Sequence, residues 1–138
     1  MTTATKPESK APSQEIDLKA SPAAVSANPL VGTWTNTNTA TRDLVKIVIA
    51  ATHTGISVHA YGACVPTPCD WGAVAAIDYA SSVSTTSAVA FSAQYTFSFS
   101  KVILTGHLDG KLLTVESFTE FTDGSGRNNY YAAMQMKK

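Results

Sequence analysis

Residues 59–72 read His-Ala-Tyr-Gly-Ala-Cys-Val-Pro-Thr-Pro-Cys-Asp-Trp-Gly, and no other stretch of the 138 residues gathers so much chemistry. Both cysteines (Cys64, Cys69), one of the two tryptophans (Trp71), His59 and Asp70 lie within it. Pro66 and Pro68 stiffen the bend between the sulfurs. An acid beside an indole grips a polar ring: the aromatic face stacks and the carboxylate accepts hydrogen bonds. The plainer role packs Trp71 in the core and has Asp70 accept N–H bonds within the turn. His59 and Tyr61 are two apart and so share a strand face. His107 falls on a comparable face of a later strand, beside Ile103 and Thr105. Two such groups aimed into one cavity would bind a metal or transfer protons. No His-x-His or Glu-x-x-His grouping accompanies them, which favours surface or hydrogen-bonded histidines and no metal.

The cysteine spacing is C-x4-C, not the paired C-x2-C of a structural zinc site. A disulfide closing so short a loop would stabilise by about 2 kcal/mol in the chain-entropy model. A reducing cytosol would keep two free thiols instead. Disulfide, thiol pair and, third, metal site all stay open here. Neither cysteine has a neighbouring Lys or Arg to lower its pKa, so no thiolate nucleophile is indicated.

Glu116, Phe118 and Glu120 alternate on one strand face. Glu116 and Glu120 stand roughly 13 Å apart along the strand, too far for the carboxylate pair of a glycosidase. They read as a solvent-facing stripe, with Glu116 alone a candidate for the interior. Asp123 and Arg127 flank a Gly-Ser-Gly turn and can bridge it by a salt bridge. Arg127 can also present its planar fork to an anionic ligand. The chain has no Gly-rich phosphate loop, no Gly-x-Ser-x-Gly elbow and no Cys/His nucleophile signature, and no catalytic residue or cofactor is assigned.

The elements that must hold these groups alternate with a period of two. Phe91, Ala93, Tyr95, Phe97 and Phe99, preceded by Val89, alternate with Ala90, Ser92, Gln94, Thr96 and Ser98. One face is large and apolar and the other small and polar, which is a half-buried strand. Ile56, Val58 and Ala60 alternate with Ser57, His59 and Tyr61; Val45, Ile47 and Ile49 behave likewise. Asp109-Gly110 reads as a two-residue hairpin turn, Asp123 to Gly126 as a looser one. A turn is also placed at Ser98–Lys101, which has neither Gly nor Pro. The spacing predicts eight strands, near 32–37, 43–51, 55–63, 70–79, 87–97, 100–108, 111–121 and 128–136. Short connections make each strand antiparallel to the last. An all-β, eight-stranded up-and-down barrel follows, because closure removes the exposed edges; two packed sheets are the alternative.

Residues 1–28 contain no Phe, Trp or Tyr and read as a disordered tail ahead of a barrel domain spanning 29–138. Lys and Arg number 10, as do Asp and Glu, so the formal net charge is zero. That excludes a broad basic field for nucleic acid. No apolar run approaches helical membrane-spanning length. The N-terminus lacks a secretory apolar stretch, so the sequence as it stands reads as cytoplasmic; a leader removed before this numbering would make it secreted.

Leu30-Val31-Gly32-Thr33-Trp34 resembles the opening motif of calycin-type barrels (lipocalins, fatty-acid-binding proteins, avidins). The resemblance implies that Trp34 plugs one end of the barrel. It also implies that a late Arg, here Arg127, packs over that ring. The long helix that follows a lipocalin barrel is missing. His59 to Gly72 and Phe121 to Arg127 are more closely similar to paired turns, Gly-x-Cys-x-Pro-Thr-x-Cys-Asp-Trp-Gly and Phe-Thr-Asp-x-Ser-Gly-Arg, of small bacterial proteins of unassigned function. That resemblance spans most of residues 30–136 and implies no activity.

The reading that results is a barrel binding an unidentified small molecule at one end. The site residues are His59, Tyr61, Asp70, Trp71 and Arg127, with Trp34, Cys64, Cys69 and Asp123 structural. An interaction protein without a small ligand is the second reading. The third is a cofactor-free enzyme with a His/Asp or Glu base, which requires such a pair within hydrogen-bond reach inside a cavity. The oligomeric state is left open.

Overall fold

The computed structural model describes residues 29–138; the expected tail falls on residues 1–28, outside the described residues. Eight strands run in chain order: β1 (Gly32–Asn36), β2 (Leu44–Thr52), β3 (Gly55–Gly62), β4 (Cys69–Ala80), β5 (Ala88–Thr96), β6 (Ser100–Asp109), β7 (Leu112–Phe121) and β8 (Tyr130–Lys137). Each pairs antiparallel with the next, and β8 returns to β1 through Thr35↔Lys137 and Asn36↔Met136. The Thr37 N–H adds a bond to the Gln135 carbonyl at 2.9 Å. The sheet is therefore a closed barrel, and the two-sheet alternative is excluded.

Register follows the alternation, because a slip of one residue would turn every apolar side chain to solvent. Ile56, Val58 and Ala60 of β3, Phe91, Ala93 and Tyr95 of β5, Val102 and Leu104 of β6, and Leu113 and Val115 of β7 all point inward and are buried. Side chains fill the axis. Phe91 lies across the strand facing it, where Gly106 is its cross-strand partner. A Cβ on Gly106 would come within 2.2 Å of the Phe91 ring, so only glycine fits there.

Three expectations shift by a residue or so, each for a backbone reason. Val45 is an extra residue in β2, between Leu44↔Gly62 and Lys46↔Tyr61, so Leu44 rather than Val45 is buried beside Ile47. A similar irregularity between Tyr79 and Ala80 buries Ala88 and leaves Val89 half-buried. The β6–β7 hairpin turns on Gly110-Lys111, one position later than expected, with Gly110 in the left-handed region (φ 62°). The turn without Gly or Pro is present: β5 stops at Thr96, and the Phe97 N–H donates to the Ser100 carbonyl at 2.8 Å.

The two ends of the barrel differ. At one end Trp34 is buried and its indole N–H donates to the Leu30 carbonyl at 2.8 Å. Lys138 covers the ring, its Nζ 5.1 Å from the centroid. The expectation that Arg127 would cover Trp34 is corrected: Arg127 belongs to the connection between β7 and β8, at the opposite end, and the C-terminal lysine takes that place.

Candidate functional site

Four connections gather at the other end: residues 37–43, 63–68, 97–99 and 122–129. The 63–68 turn is closed by a disulfide between Cys64 and Cys69, whose Cα atoms are 5.4 Å apart. Among the three states left open by the spacing, the structure therefore has the disulfide. The Ala63 N–H donates to the Asp43 carbonyl at 2.8 Å, tying this turn to its neighbour.

A bulge in β4 sorts the chemistry of this turn. Tyr61 pairs with Asp70 and His59 with Ala73, so Trp71 and Gly72 together oppose Ala60. Gly72 takes φ 83°, a conformation that glycine adopts cheaply. The bulge leaves ladder groups unpaired, and the Tyr95 phenol meets them from inside the barrel. The Ala60 N–H donates to Tyr95 Oη at 3.0 Å, and Oη lies 2.7 Å from the Gly72 carbonyl and 3.1 Å from that of Val58. Burial raises the pKa of Tyr95 above the ordinary phenol value, so the hydroxyl keeps the proton it donates.

The consequence is a divided set of side chains. Ala60 points inward and is buried, so His59 and Tyr61 lie on the outer wall with Asp70. His59 Nε2 meets Asp70 Oδ1 at 2.5 Å, and the two rings His59 and Tyr61 stack with centroids 4.5 Å apart. Lys46 Nζ lies over the other ring at 4.3 Å. Asp70 Oδ1 also accepts the Gly72 N–H at 2.7 Å. The hydrogen bond from His59, then that from Gly72, holds the Asp70 carboxyl below its usual range. This histidine–acid pair is within reach but lies outside the barrel wall, not in a cavity. His107 and Glu116 are also on the outer wall and are not cross-strand partners: His107 faces Thr114, and Glu116 faces Thr105. Among the described residues no three of His, Cys, Asp and Glu converge on a metal position.

Trp71 points the other way. Its ring packs edge-on against Tyr95 and Phe97, each at 5.4 Å between centroids, and its Nε1 sits over Gly62, where a Cβ would be only 2.9 Å away. Stacking continues from Phe97 to Phe99 at 5.7 Å. Arg127 then spans Phe99 and Phe121, 6.0 and 4.0 Å from their centroids. Arg127 Nη2 donates to Asp123 Oδ2 at 2.8 Å, and Asp123 Oδ1 accepts the Ser125 N–H at 3.0 Å. The hydroxyl and N–H of Ser125, then Arg127, keep Asp123 below the usual carboxylate range. The two motif-bearing stretches, 59–72 and 121–127, thus meet on one rim.

A cavity of about 170 Å³ opens in this rim. Trp71, both half-cystines, Gly62, Arg42 and Asp43 form one side; Ser117, Thr119 and Tyr130 form the other. Ser117 and Thr119 are 5% and 8% exposed, and neither hydroxyl has a hydrogen-bond partner among the described residues. The Trp71 indole N–H has none there either. Of the residues expected to bind a ligand, Trp71 alone lines this cavity, together with Cys64 and Cys69, which were expected to be structural; His59, Tyr61, Asp70 and Arg127 do not. The expectation missed Arg42, Asp43, Ser117, Thr119 and Tyr130. Part of the signal was available: continuing Leu113, Val115 by two places puts Ser117 and Thr119 on the inner face, where polar residues are unexpected. Comparison with protein-family models, curated proteins and solved structures found no match.

Proposed function

We propose that the chain is a small-molecule-binding barrel of calycin-like kind, with its site in the mouth beside the Cys64–Cys69 turn. One observation carries the reading: a cavity of about 170 Å³ is lined by Trp71 and by the nearly buried Ser117 and Thr119, whose indole N–H and hydroxyls make no hydrogen bond among the described residues. Buried polar groups are almost always hydrogen-bonded, so a guest that bonds them gains what the fold leaves unmade. At a liquid volume of about 30 Å³ per water, the space takes roughly five or six non-hydrogen atoms. The ligand is a small polar molecule or the terminal group of a longer one. Trp71 offers an apolar wall, and Arg42 and Asp43 offer both signs of charge at the rim. Asp70 and Arg127 act one layer behind, by holding the bulge and the aromatic rim in place. The opening Gly32-x-Trp34 pattern agrees with such a barrel, although Lys138 and not Arg127 lies over the indole. A disulfide at the rim suits an oxidising compartment, which supports the secreted alternative.

The test is saturation-transfer NMR with acetate, acetamide, urea, ethanolamine, glycerol and imidazole. The expected result is transfer to at least one of them, abolished by Ser117→Val and weakened by Trp71→Phe, in variants that keep the β-barrel circular dichroism. Transfer to none of the six, or transfer unchanged in both variants, contradicts the proposal.

A further inference from the structure

The outer wall of β6, β7 and β8 carries an apolar row. Gln94, Ile103, Phe118 and Tyr131 lie side by side across β5 to β8 by register. Ile103, Phe118 and Tyr131 are 47%, 44% and 54% exposed. They line an open groove of about 590 Å³, with Lys101 and Glu120 on its mouth side. Exposed apolar clusters of this kind mark association sites. A closed barrel offers no strand edge to a partner, so association must use a face.

The charges around the row specify the face's occupant. Lys101 and Glu120 are cross-strand partners one level above the row, yet they make no ion pair with each other within 4 Å. Thr105 and Glu116 are partners one level below, and Glu116 accepts the Tyr131 hydroxyl at 2.5 Å. Two sheets packed face to face by symmetry need a two-fold axis lying in the interface. An axis across the strands exchanges the levels and sets Glu120 against Glu116 of the second copy. An axis along the strands, between β6 and β7, exchanges the columns. Lys101 then faces Glu120 of the second copy, twice; Ile103 faces its Phe118, and Thr105 faces its Glu116. Either axis keeps the strands of the two sheets aligned, the usual geometry for packed sheets, so the charges decide between them.

We infer that this wall is the interface of a symmetric dimer, formed with a second copy of the chain about a two-fold axis parallel to β6 and β7. Two pairs of opposite charges meet along the mouth side of the apolar row, and like charges are kept apart.

The experiment is sedimentation velocity on the full chain from about 1 μM to about 1 mM, the range of weak to moderate affinity. The wild type should pass from the mass of one 14.5 kDa chain to twice that. K101E and E120K should each raise the dissociation constant at least about tenfold, since each creates two like-charge contacts. An equimolar mixture of K101E and E120K should dimerise again, because one chain then presents two acids and the other two lysines. Phe118→Lys should abolish the dimer with unchanged circular dichroism, and Lys111→Glu, on the distant hairpin turn, should leave it intact. A wild type that stays monomeric throughout, as expected of a groove serving another protein or a small ligand, overturns the inference. A dimer indifferent to K101E and E120K, or a mixture that remains monomeric, overturns it equally.

Discussion

The two tryptophans sit at opposite ends of one barrel and have opposite fates. Trp34 is 2% exposed and has its N–H bonded to Leu30 under the cover of Lys138. Trp71 is half-buried and lines a cavity with Ser117 and Thr119, its Nε1 lying over Gly62 without a hydrogen-bond partner among the described residues. The same side chain closes one end and lines the other. What separates them is local backbone. Trp34 lies in regular β1 pairing, whereas Trp71 rides on a bulge held by Tyr95 and next to a disulfide. The sealed end is a packing solution; the mouth leaves the Ser117 and Thr119 hydroxyls without partners among the described residues, at a cost in stability.

The contrast breaks most sharply on truncation. Trp34→Ala should destabilise by about 3–5 kcal/mol, a full loss of core volume. Trp71→Ala, half-buried at a rim, should cost about 1–3 kcal/mol. Urea unfolding midpoints with constant m report the difference, and equal losses would mean that the two ends are energetically alike. Tyr95→Phe should cost about 1–3 kcal/mol by orphaning the Ala60 N–H and the Gly72 carbonyl. Amide exchange should speed up at Ala60 in that variant while the Trp34 indole N–H stays protected. Replacing both cysteines with serine should cost about 2 kcal/mol and affect the mouth alone. Thermal melts, and exchange read at Ala63 and Gly72 against Trp34, measure both parts.

Acid should sharpen the same asymmetry by the smallest amount. Asp70 and Asp123 both belong to the mouth end, and both are held below the ordinary Asp value, by His59 and by Ser125 respectively. A carboxyl lowered on folding contributes stability above its unfolded value, ~3.9, and loses it as pH falls through the lower folded value. Both lie at the surface of the mouth end, so the effect is local. The Gly72 and Ser125 amides should lose protection below about pH 4 while the Trp34 indole N–H is unchanged. Simultaneous loss at both ends would show instead a global acid transition.

Much of this was legible in the residues themselves. The alternation of Phe91 to Phe97 and of Ile56 to Ala60 is enough to specify strands and their inner faces, because burial has a period of two. That alternation also sends His59 and Tyr61 outward, away from the barrel end they were expected to line. The bulges were not legible, since an extra residue such as Val45, or the Trp71-Gly72 pair, is defined by the neighbouring strand's register and leaves no mark in composition. The cavity was half legible. Trp71 and the cysteines are conspicuous in one segment, whereas Arg42 and Asp43 reach it through the pairing of β2 with β3, and Ser117, Thr119 and Tyr130 only through barrel closure, which brings β7 and β8 to the same rim as the 63–68 turn. Arg127 was correctly suspected of bridging Asp123, and its other expected partner, Trp34, lies at the far end.

The most direct measurement is a two-dimensional ¹⁵N spectrum of the two indole N–H groups during titration with any compound that gives saturation transfer. Binding in the mouth predicts that the Trp71 resonance shifts along a saturable curve, together with the Ser117 and Thr119 amides, while the Trp34 resonance stays in place. A stationary Trp71 resonance, or one that moves no more than Trp34, would contradict the account.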